Sequence, residues 1–303
     1  MLRYLLILIV VLAFPILLNA QTQDDATRDL WDTAFIKKRP APKAPATTGH
    51  RVIRYKVVGK SSTASSKTDA GGSAVVGVTV WRLRPSKASD EAEVRQLVHD
   101  EGEWTPERVG GGTPLSEGTR VQLTNESPRA GYLYVFDREM YADKTFGDSY
   151  LIFPTTRLNG GDNKVGAGKV IEIPSADDNP PYYTLKRSRS DHEGESLTVI
   201  VSDKPLTDLT IGRTALKISA GQFGMYETRW GAMTAQLELD SGAGTAMSKA
   251  EKAAAAGKKD LTQDDLPPQT IYRVHAKPGQ PLLVTIPLSI SSKQDGVAVR
   301  PGL

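Results

Sequence analysis

The middle of the chain consists of short apolar segments separated by glycine, proline, asparagine and aspartate. Some of these segments alternate apolar and polar positions with a period of two, which is typical of a half-buried β-strand, and others are apolar throughout. The clearest are "GTRVQLTNES", "GYLYVF", "SYLIFP", "KVIEIP", "YYTLKR" and "SLTVIVS". Many short strands of this kind predict an all-β fold, and we expect an antiparallel β-sandwich.

The segment "GYLYVF", residues 131–136, predicts a central strand. Its three aromatic residues share one face and its leucine and valine share the other, so that both faces are apolar. A strand of this kind must be covered on both sides. We expect the opposing sheet on one side and either segment 219–230 or segment 248–256 on the other.

Those two covering segments predict short helices. The segment 248–256, "SKAEKAAAA", begins with a capping box in which Ser248 and Glu251 bond each other's backbone, and Gly257 ends it. Segment 219–230 contains two glycines, which weaken its helical pattern. After it, "QTIYRVH" and "QPLLVTIPLSI" flank "AKPG", and we expect them to form a final β-hairpin.

Two more helices are expected outside the strand-rich region. Residues 24–38 have an apolar face at helical spacing and precede a proline-rich linker, and this helix docks either on a partner or on its own domain. Residues 90–99 predict a brief helix. The expected organisation is a signal peptide at 1–20, a short N-terminal helix and linker at 21–48, a β-sandwich domain at 49–210, and a C-terminal helix-plus-hairpin segment at 211–303 packed on the sandwich.

The N-terminus has the pattern of an export signal. Arg3 precedes an apolar run of 14 residues, and Ala20 follows before polar Gln21. Because about 20 apolar residues are needed to span a bilayer, we expect cleavage near Ala20 and a periplasmic or extracellular protein without a membrane span. An uncleaved N-terminal anchor is the alternative.

Composition excludes several classes of function. The chain has no cysteine, which excludes thiolate metal sites, redox motifs and a catalytic cysteine. Its net charge is +3, from 38 basic and 35 acidic residues, and this balance does not indicate nucleic-acid binding.

Catalytic motifs are not recognisable. The pair His192–Glu193 begins like a zinc-protease motif, but Ser196 stands where the second histidine is needed. The glycine-rich stretch "GGDNKVGAGKV" lacks the Lys-Ser/Thr of a phosphate-binding loop, and we interpret it as a hairpin with residues at positive φ. We therefore expect neither an enzyme nor a cofactor.

The connection after "GYLYVF" is long for a hairpin, at thirteen residues from Asp137 to Ser149, and it is acidic. Four carboxylates within it give surface charge or, alternatively, a weak calcium site, since Ca²⁺ takes oxygen ligands. They are Asp137, Glu139, Asp143 and Asp148.

We next assume that "GYLYVF", "SYLIFP", "KVIEIP" and "YYTLKR" are consecutive antiparallel strands of one sheet. The loops 137–149 and 175–181 then share one end, and their acidic and aromatic side chains form a contact surface for a basic peptide, a sugar or a cation. Capping of the core by the tyrosines is the alternative. The candidate residues are Asp137, Glu139, Tyr141, Asp143, Asp148, Asp177, Asp178, Tyr182 and Tyr183.

Several quoted motifs carry a family resemblance. "GYLYV", "LIFP", a glycine-rich turn and "IEIP" follow one another, with "GVTVWRLRP", "WTPERV" and "LPPQTIYRV" outside them. In this order they resemble DUF4384, a bacterial exported domain family of unknown function. The resemblance implies a β-rich extracytoplasmic module and supplies no catalytic residues.

Three functions fit these observations. The first is an exported, non-enzymatic binding module of the bacterial cell envelope whose partner is an envelope protein or a glycan. The second is a hydrolase with an unrecognised site, which requires a histidine within reach of a serine or carboxylate in a cleft. The third is a purely structural component of an envelope assembly. We favour the first.

Overall fold

The computed structural model describes residues 35–42, 55–58, 73–98, 102–127, 129–232 and 234–291. The expected signal peptide and most of the expected helix 24–38 lie outside these ranges. Only a 3-10 turn, Ile36–Lys38, is described at the end of that segment. None of the helices in the described ranges is long and apolar enough to cross a bilayer.

The described residues form two antiparallel sheets, which confirms the all-β sandwich. The first sheet contains β1 (Tyr55–Val58), β2 (Ser73–Pro85), β3 (Gln96–Val98), β4 (Gly102–Val109), β5 (Arg120–Glu126), β10 (Val170–Ile173), β11 (Tyr183–Thr184), β14 (Thr234–Leu239) and β15 (Thr270–His275). The second contains β6 (Gly131–Asp137), β7 (Glu139–Tyr141), β8 (Ser149–Phe153), β9 (Lys164–Val165), β12 (His192–Ser202), β13 (Leu216–Ile218) and β16 (Leu282–Ser289). The helices are α1 (Ala220–Trp230) and α2 (Lys249–Ala255).

The main core lies between the sheets. Long strands supply it from both sides, with Val78 and Leu123 from the first sheet and Val135, Val199 and Val284 from the second, all almost completely buried. Side chains on one face of each strand meet those of the facing sheet, as alternation along a strand requires. Burial of this apolar area is the main term that stabilises the sandwich.

Strand β6 is the predicted central strand, with β8 on one side and β12 on the other. Its second apolar face is covered by α1, so segment 219–230 is the cover and segment 248–256 is not. Phe136 packs edge-on against Phe223, with ring centroids 5.5 Å apart, and lies 5.8 Å from the ring of Tyr226. The two-sided pattern of β6 therefore predicted its place in the fold.

Both predicted helices form, with the expected ends. The Ser219 side chain accepts a hydrogen bond from the Gln222 N–H at the start of α1. At the start of α2, Ser248 and Glu251 form the predicted capping box, and Gly257 follows the helix with φ +67°. This positive φ suits glycine, which has no Cβ to clash.

Three local expectations are wrong, each because pairing is decided by distant strands. The final hairpin does not form, since β15 pairs with β2 and β14 whereas β16 pairs with β12 in the other sheet. The glycine-rich turn likewise joins β9 of the second sheet to β10 of the first. In place of the helix expected at 90–99, the described residues form a 3-10 turn, Ala92–Val94, followed by β3, which pairs with β4.

The four-strand arrangement behind the predicted contact surface is also wrong. Strands β6 and β8 pair in the second sheet, whereas β10 and β11 both pair with β5 in the first. Strands β14, β15 and β16, which follow the expected boundary at residue 210, are part of the two sheets.

Candidate functional site

A cleft of about 580 Å³ lies between helix α2 and the turn that joins β9 to β10. Its walls include Gly166, Ala253 and Ala256, which have no side-chain atom beyond Cβ and therefore leave the space open. Three acidic residues also line it, and these are Glu93, Glu172 and Asp177. Its basic lining consists of Lys164, Lys169, Lys249, Lys252 and Lys258, and we call it the lysine cleft.

The side chain of Glu172 is at the base of this cleft because of strand alternation. Ile171 and Ile173 on β10 pack on the main core, so Glu172 between them points to the opposite side, where α2 covers it. Its side chain is only 2% exposed. Burial raises the pKa of Glu172, and the charge of Lys252 offsets this only in part.

Lys252 on α2 faces that carboxyl group without forming a hydrogen bond to it. Its Nζ is 3.9 Å from Glu172 Oε1, which is too long for a hydrogen bond. Within the described part of the chain neither atom has a hydrogen-bond partner, although both are buried. Glu172 Oε2, in contrast, accepts a hydrogen bond from the Ala176 N–H at 3.0 Å. Burial also lowers the pKa of Lys252.

Helix α2 is held in place by contacts with β4. In the segment before the helix, the Met247 N–H donates to the Pro106 carbonyl at 2.9 Å. Within the helix, buried Glu251 pairs with buried Arg108, whose Nη1 also donates to the Pro267 carbonyl at 3.0 Å. The helix wall of the cleft is therefore fixed to the sandwich by backbone and charge contacts, which place the backbone of Lys252 beside Glu172.

The predicted acidic loop forms a different arrangement, in which the carboxylates have separate partners. Glu139 accepts hydrogen bonds from the Tyr141 hydroxyl at 2.6 Å and the Ser188 hydroxyl at 2.7 Å. Burial raises the pKa of Glu139, but these two hydrogen bonds and nearby positive charges together outweigh that effect, so the pKa is lowered. The loop also contains β7, which pairs with β12, and this explains its length.

The two remaining surface carboxylates of this loop are also engaged. Asp143 accepts hydrogen bonds from the backbone N–H and the hydroxyl of Thr145. These two bonds stabilise the turn 143–145 and lower the pKa of Asp143. Asp148 pairs with Lys217 of β13 at 2.6 Å. No group of three metal-ligating side chains comes together among the described residues, which include all four carboxylates considered for calcium.

Asp137 is paired with a residue that sequence analysis did not identify, Glu195 of β12. The two carboxyl groups lie within hydrogen-bonding reach, and Glu195 is only 9% exposed. Burial, followed by the charge of Asp137, raises the pKa of Glu195 to about 9. Burial also raises the pKa of Asp137 to about 6. The register between β6 and β12 brings these two carboxyl groups together, and no local sequence motif predicts that register.

The second predicted loop is divided among three places. Asp177 lines the lysine cleft. Asp178 accepts from the Ser175 N–H within its own turn and from the Asn159 N–H of the turn Asn159–Gly161. Tyr182 stacks on the guanidinium group of Arg120, with 4.6 Å from Cζ to the ring centroid.

Tyr183 connects the two predicted loops electrostatically. Its hydroxyl donates to the Ile152 carbonyl at 3.2 Å. Burial raises the pKa of Tyr183, and the nearby charges of Asp137 and Asp178 raise it further. The two loops therefore approach each other, but their carboxylates do not form one open surface.

Both ring nitrogens of buried His192 bond backbone groups, and Nε2 also lies 3.4 Å from Glu195 Oε1. Nδ1 accepts from the Ser188 N–H at 3.2 Å, so Nε2 carries the proton and donates to the Gly194 carbonyl at 2.8 Å. A histidine engaged in this way has no free nitrogen to act as a general base.

The lysine cleft was missed because its members come from β10, α2 and the loops around them, far apart in sequence. The one local signal was the capping box of α2 with lysines on its surface. Searches of family models, curated proteins and solved structures found no match to this chain. The resemblance to DUF4384 therefore stays a prediction based on the quoted motifs.

Proposed function

We propose that the chain is an exported, non-enzymatic binding module of the bacterial cell envelope, and that the cleft beside α2 is its ligand site. One observation carries this proposal. The cleft, at about 580 Å³, has a typical ligand-site volume, and it contains a buried ammonium group and a buried carboxyl oxygen that lack hydrogen-bond partners in the described residues.

The physical reason is the free energy of desolvation. A buried polar group without a partner costs roughly 1–3 kcal/mol, and a ligand that bonds to it recovers part of that cost. Polar groups that converge on one cleft also fix the orientation of what binds there. Export is supported separately by the charged start, apolar run and small residue at the N-terminus.

A pull-down from envelope extract tests this function, with the exported chain as bait. Replacing Ala253 with Trp fills the cleft from the helix side, and we expect the bound ligand or partner to be lost. The control is the double variant Asp143→Asn, Asp148→Asn, which changes the predicted acidic loop and leaves the cleft open.

The two variants separate the two surfaces. Loss of capture by the loop variant, with normal capture by the Ala253→Trp chain, would assign binding to the acidic loop and contradict the cleft assignment. Capture at the wild-type level by both variants would contradict both proposed surfaces. Circular dichroism of each variant confirms that its fold is retained.

A hydrolase is the second candidate, and the Asp137–Glu195 pair is the observation that favours it. Two carboxyl groups with pKa values raised to about 6 and about 9 resemble an acid–base pair. However, Glu195 is nine-tenths buried, and neither residue lines the cleft. Turnover of a glycoside or ester panel by the wild-type chain, abolished by Glu195→Gln, would favour this candidate over the binding module.

A further inference from the structure

We propose that the lysine cleft binds an organic phosphate, with the phosphate group held at Lys252 and Glu172. This inference rests on the proposed function, because it names the class of ligand for the same cleft. Phosphate esters occur both in soluble molecules and in lipid headgroups, and the chemistry described below is common to both.

The charges of the cleft favour a multiply charged anion. Two of the five lysines are committed to carboxylates, since Lys249 pairs with Glu93 at 2.7 Å and Lys169 pairs with Asp260. In the described ranges, Lys164 and Lys258 make no side-chain hydrogen bond or ion pair, and Lys252 has only its long contact to Glu172. Three of the five lysines therefore remain available to a ligand, and besides Glu172 the lining carboxylate that opposes them is Asp177.

The residue types distinguish phosphate from a simple carboxylate. The guanidinium fork of arginine matches a planar carboxylate through two parallel hydrogen bonds, whereas lysine acts as a point charge. No arginine occurs among the described residues that line the cleft. Several point charges arranged around one space suit a tetrahedral group with negative charge on several oxygens.

Glu172 supports anion binding because its Oε1 atom is the carboxyl oxygen without a hydrogen-bond partner in the described residues. Oε2 already accepts from the Ala176 N–H, so the proton of the neutral acid belongs on Oε1, which has no hydrogen-bond partner in the described residues. Burial favours that neutral form, as the raised pKa of Glu172 shows. A protonated Oε1 donates to a phosphate oxygen, and Lys252 Nζ, 3.9 Å away, donates to the same oxygen or to its neighbour.

The shape of the cleft favours a phosphate that is part of a larger molecule. Its volume of about 580 Å³ greatly exceeds what a phosphate group fills, and Gly166, Ala253 and Ala256 leave its walls open. The carrier of the phosphate then lies along α2, and the phosphate reaches the buried end of the cleft.

Calorimetric titration of the full chain at low ionic strength tests this assignment with inorganic phosphate, glycerol phosphate and malonate as probes. We expect glycerol phosphate to bind more tightly than either other probe. Co-sedimentation with phosphatidylcholine vesicles, with and without phosphatidic acid, forms the lipid arm. Binding only to the phosphatidic acid vesicles would identify a lipid headgroup as the source.

Three variants locate the phosphate. Lys252→Met removes a charged donor and should weaken glycerol phosphate or phosphatidic acid binding about tenfold or more. Glu172→Gln keeps a donor and should bind within about threefold of wild type, whereas Glu172→Met should bind as weakly as Lys252→Met. Lys186→Met, an exposed lysine outside the cleft, is the control and should have no effect.

The outcomes distinguish this inference from the proposed function. Tighter binding of malonate, or equal phosphate affinity in wild type and Lys252→Met, would overturn the phosphate assignment. If no phosphate probe binds, but Ala253→Trp still abolishes capture from envelope extract, the assignment fails and the binding function stands. If Ala253→Trp captures the same material as wild type, the assignment of binding to this cleft fails, and if the acidic-loop variant also captures it normally, neither surface carries the binding function.

Discussion

Two buried acid–base pairs on neighbouring parts of the molecule differ in how completely they are bonded. Arg39 and Glu126 meet in a two-pronged contact, with Nε–Oε1 at 2.9 Å and Nη2–Oε2 at 2.6 Å, and Arg39 Nη1 donates to the carbonyls of Asp265 and Leu266. Lys252 and Glu172 stand 3.9 Å apart without a hydrogen bond.

This difference separates a structural role from a binding role. Every nitrogen of the Arg39 guanidinium has a partner within the protein, so nothing remains for a ligand to satisfy. The pair at α2 leaves an ammonium group and a carboxyl oxygen unbonded in the described residues, and both line a cleft. Incomplete bonding of buried charge beside open space is therefore the reason that we propose the cleft as the ligand site.

The largest expected effect comes from breaking the complete pair. Replacing Arg39 with Met leaves the Glu126 carboxylate buried without its partner, and we expect a loss of roughly 3–5 kcal/mol in the free energy of unfolding, measured by urea denaturation. The double variant Arg39→Met, Glu126→Leu removes both charges and should recover much of this loss. A single variant with wild-type stability would contradict the structural role.

Comparable in size is the effect of a buried pair of carboxyl groups, Asp137 and Glu195. The pKa of Glu195 is raised from 4.5 to about 9, so between these pH values the folded state binds a proton that the unfolded state has released. Stability should therefore be highest below pH 4.5, as far as this group is concerned, and fall as pH rises towards 9.

The slope of that fall is at most about 1.4 kcal/mol per pH unit. Glu195→Gln cannot ionise, so the same urea series from pH 5 to 9, run on this variant, should show a flatter profile. Asp143→Asn is a matched control at an exposed carboxylate. An unchanged profile in the Glu195→Gln chain would contradict the buried acid pair.

A smaller stability effect is expected at the incomplete pair. Lys252→Met removes a charge that makes no hydrogen bond, and Glu172, whose pKa burial raises, can take up a proton once its partner is gone. The buried carboxyl group is then neutral, so we expect a change below about 1 kcal/mol. The same variant should lose ligand binding, which separates function from stability. A stability loss as large as that of Arg39→Met would show that the two pairs do not differ in role.

The smallest effect is expected at the surface, where Lys144 and Glu193 pair at 2.8 Å with side chains 72% and 46% exposed. Exposed pairs contribute about 0–1 kcal/mol because water and salt screen them. Lys144→Met should therefore leave the urea midpoint nearly unchanged. A large shift would mean that exposure does not govern the value of ion pairs in this protein.

The sequence predicted a structural feature correctly where the residues of a single segment determine that feature. The two apolar faces of β6 require two covers, and Ser248 with Glu251 specifies the start of α2, and both predictions are confirmed. Fold class follows from the same kind of local pattern.

Long-range placement was not predictable for a physical reason. A short polar turn allows the next strand to return within a sheet or to cross to the other sheet, and the choice between these depends on which distant edge needs a partner. Strand β16 thus pairs with β12 of the second sheet and not with β15, its neighbour in sequence. The acidic residues of one loop were near in sequence, yet alternation and pairing with β12 gave each a different partner. Glu172 and Lys252 were distant in sequence and became neighbours.

The late position of β15 and β16 has a consequence for how the sandwich assembles. Strand β15 fills the place between β14 and β2, and β16 covers the outer edge of β12 over eight paired residues, from Gly194 to Val201. Until residues 270–289 have emerged from the ribosome, the first sheet has a gap and the second has a bare edge. Both layers therefore close only once residues 270–289 are available, and a nascent or truncated chain that lacks these residues exposes a template to which other copies can add strands.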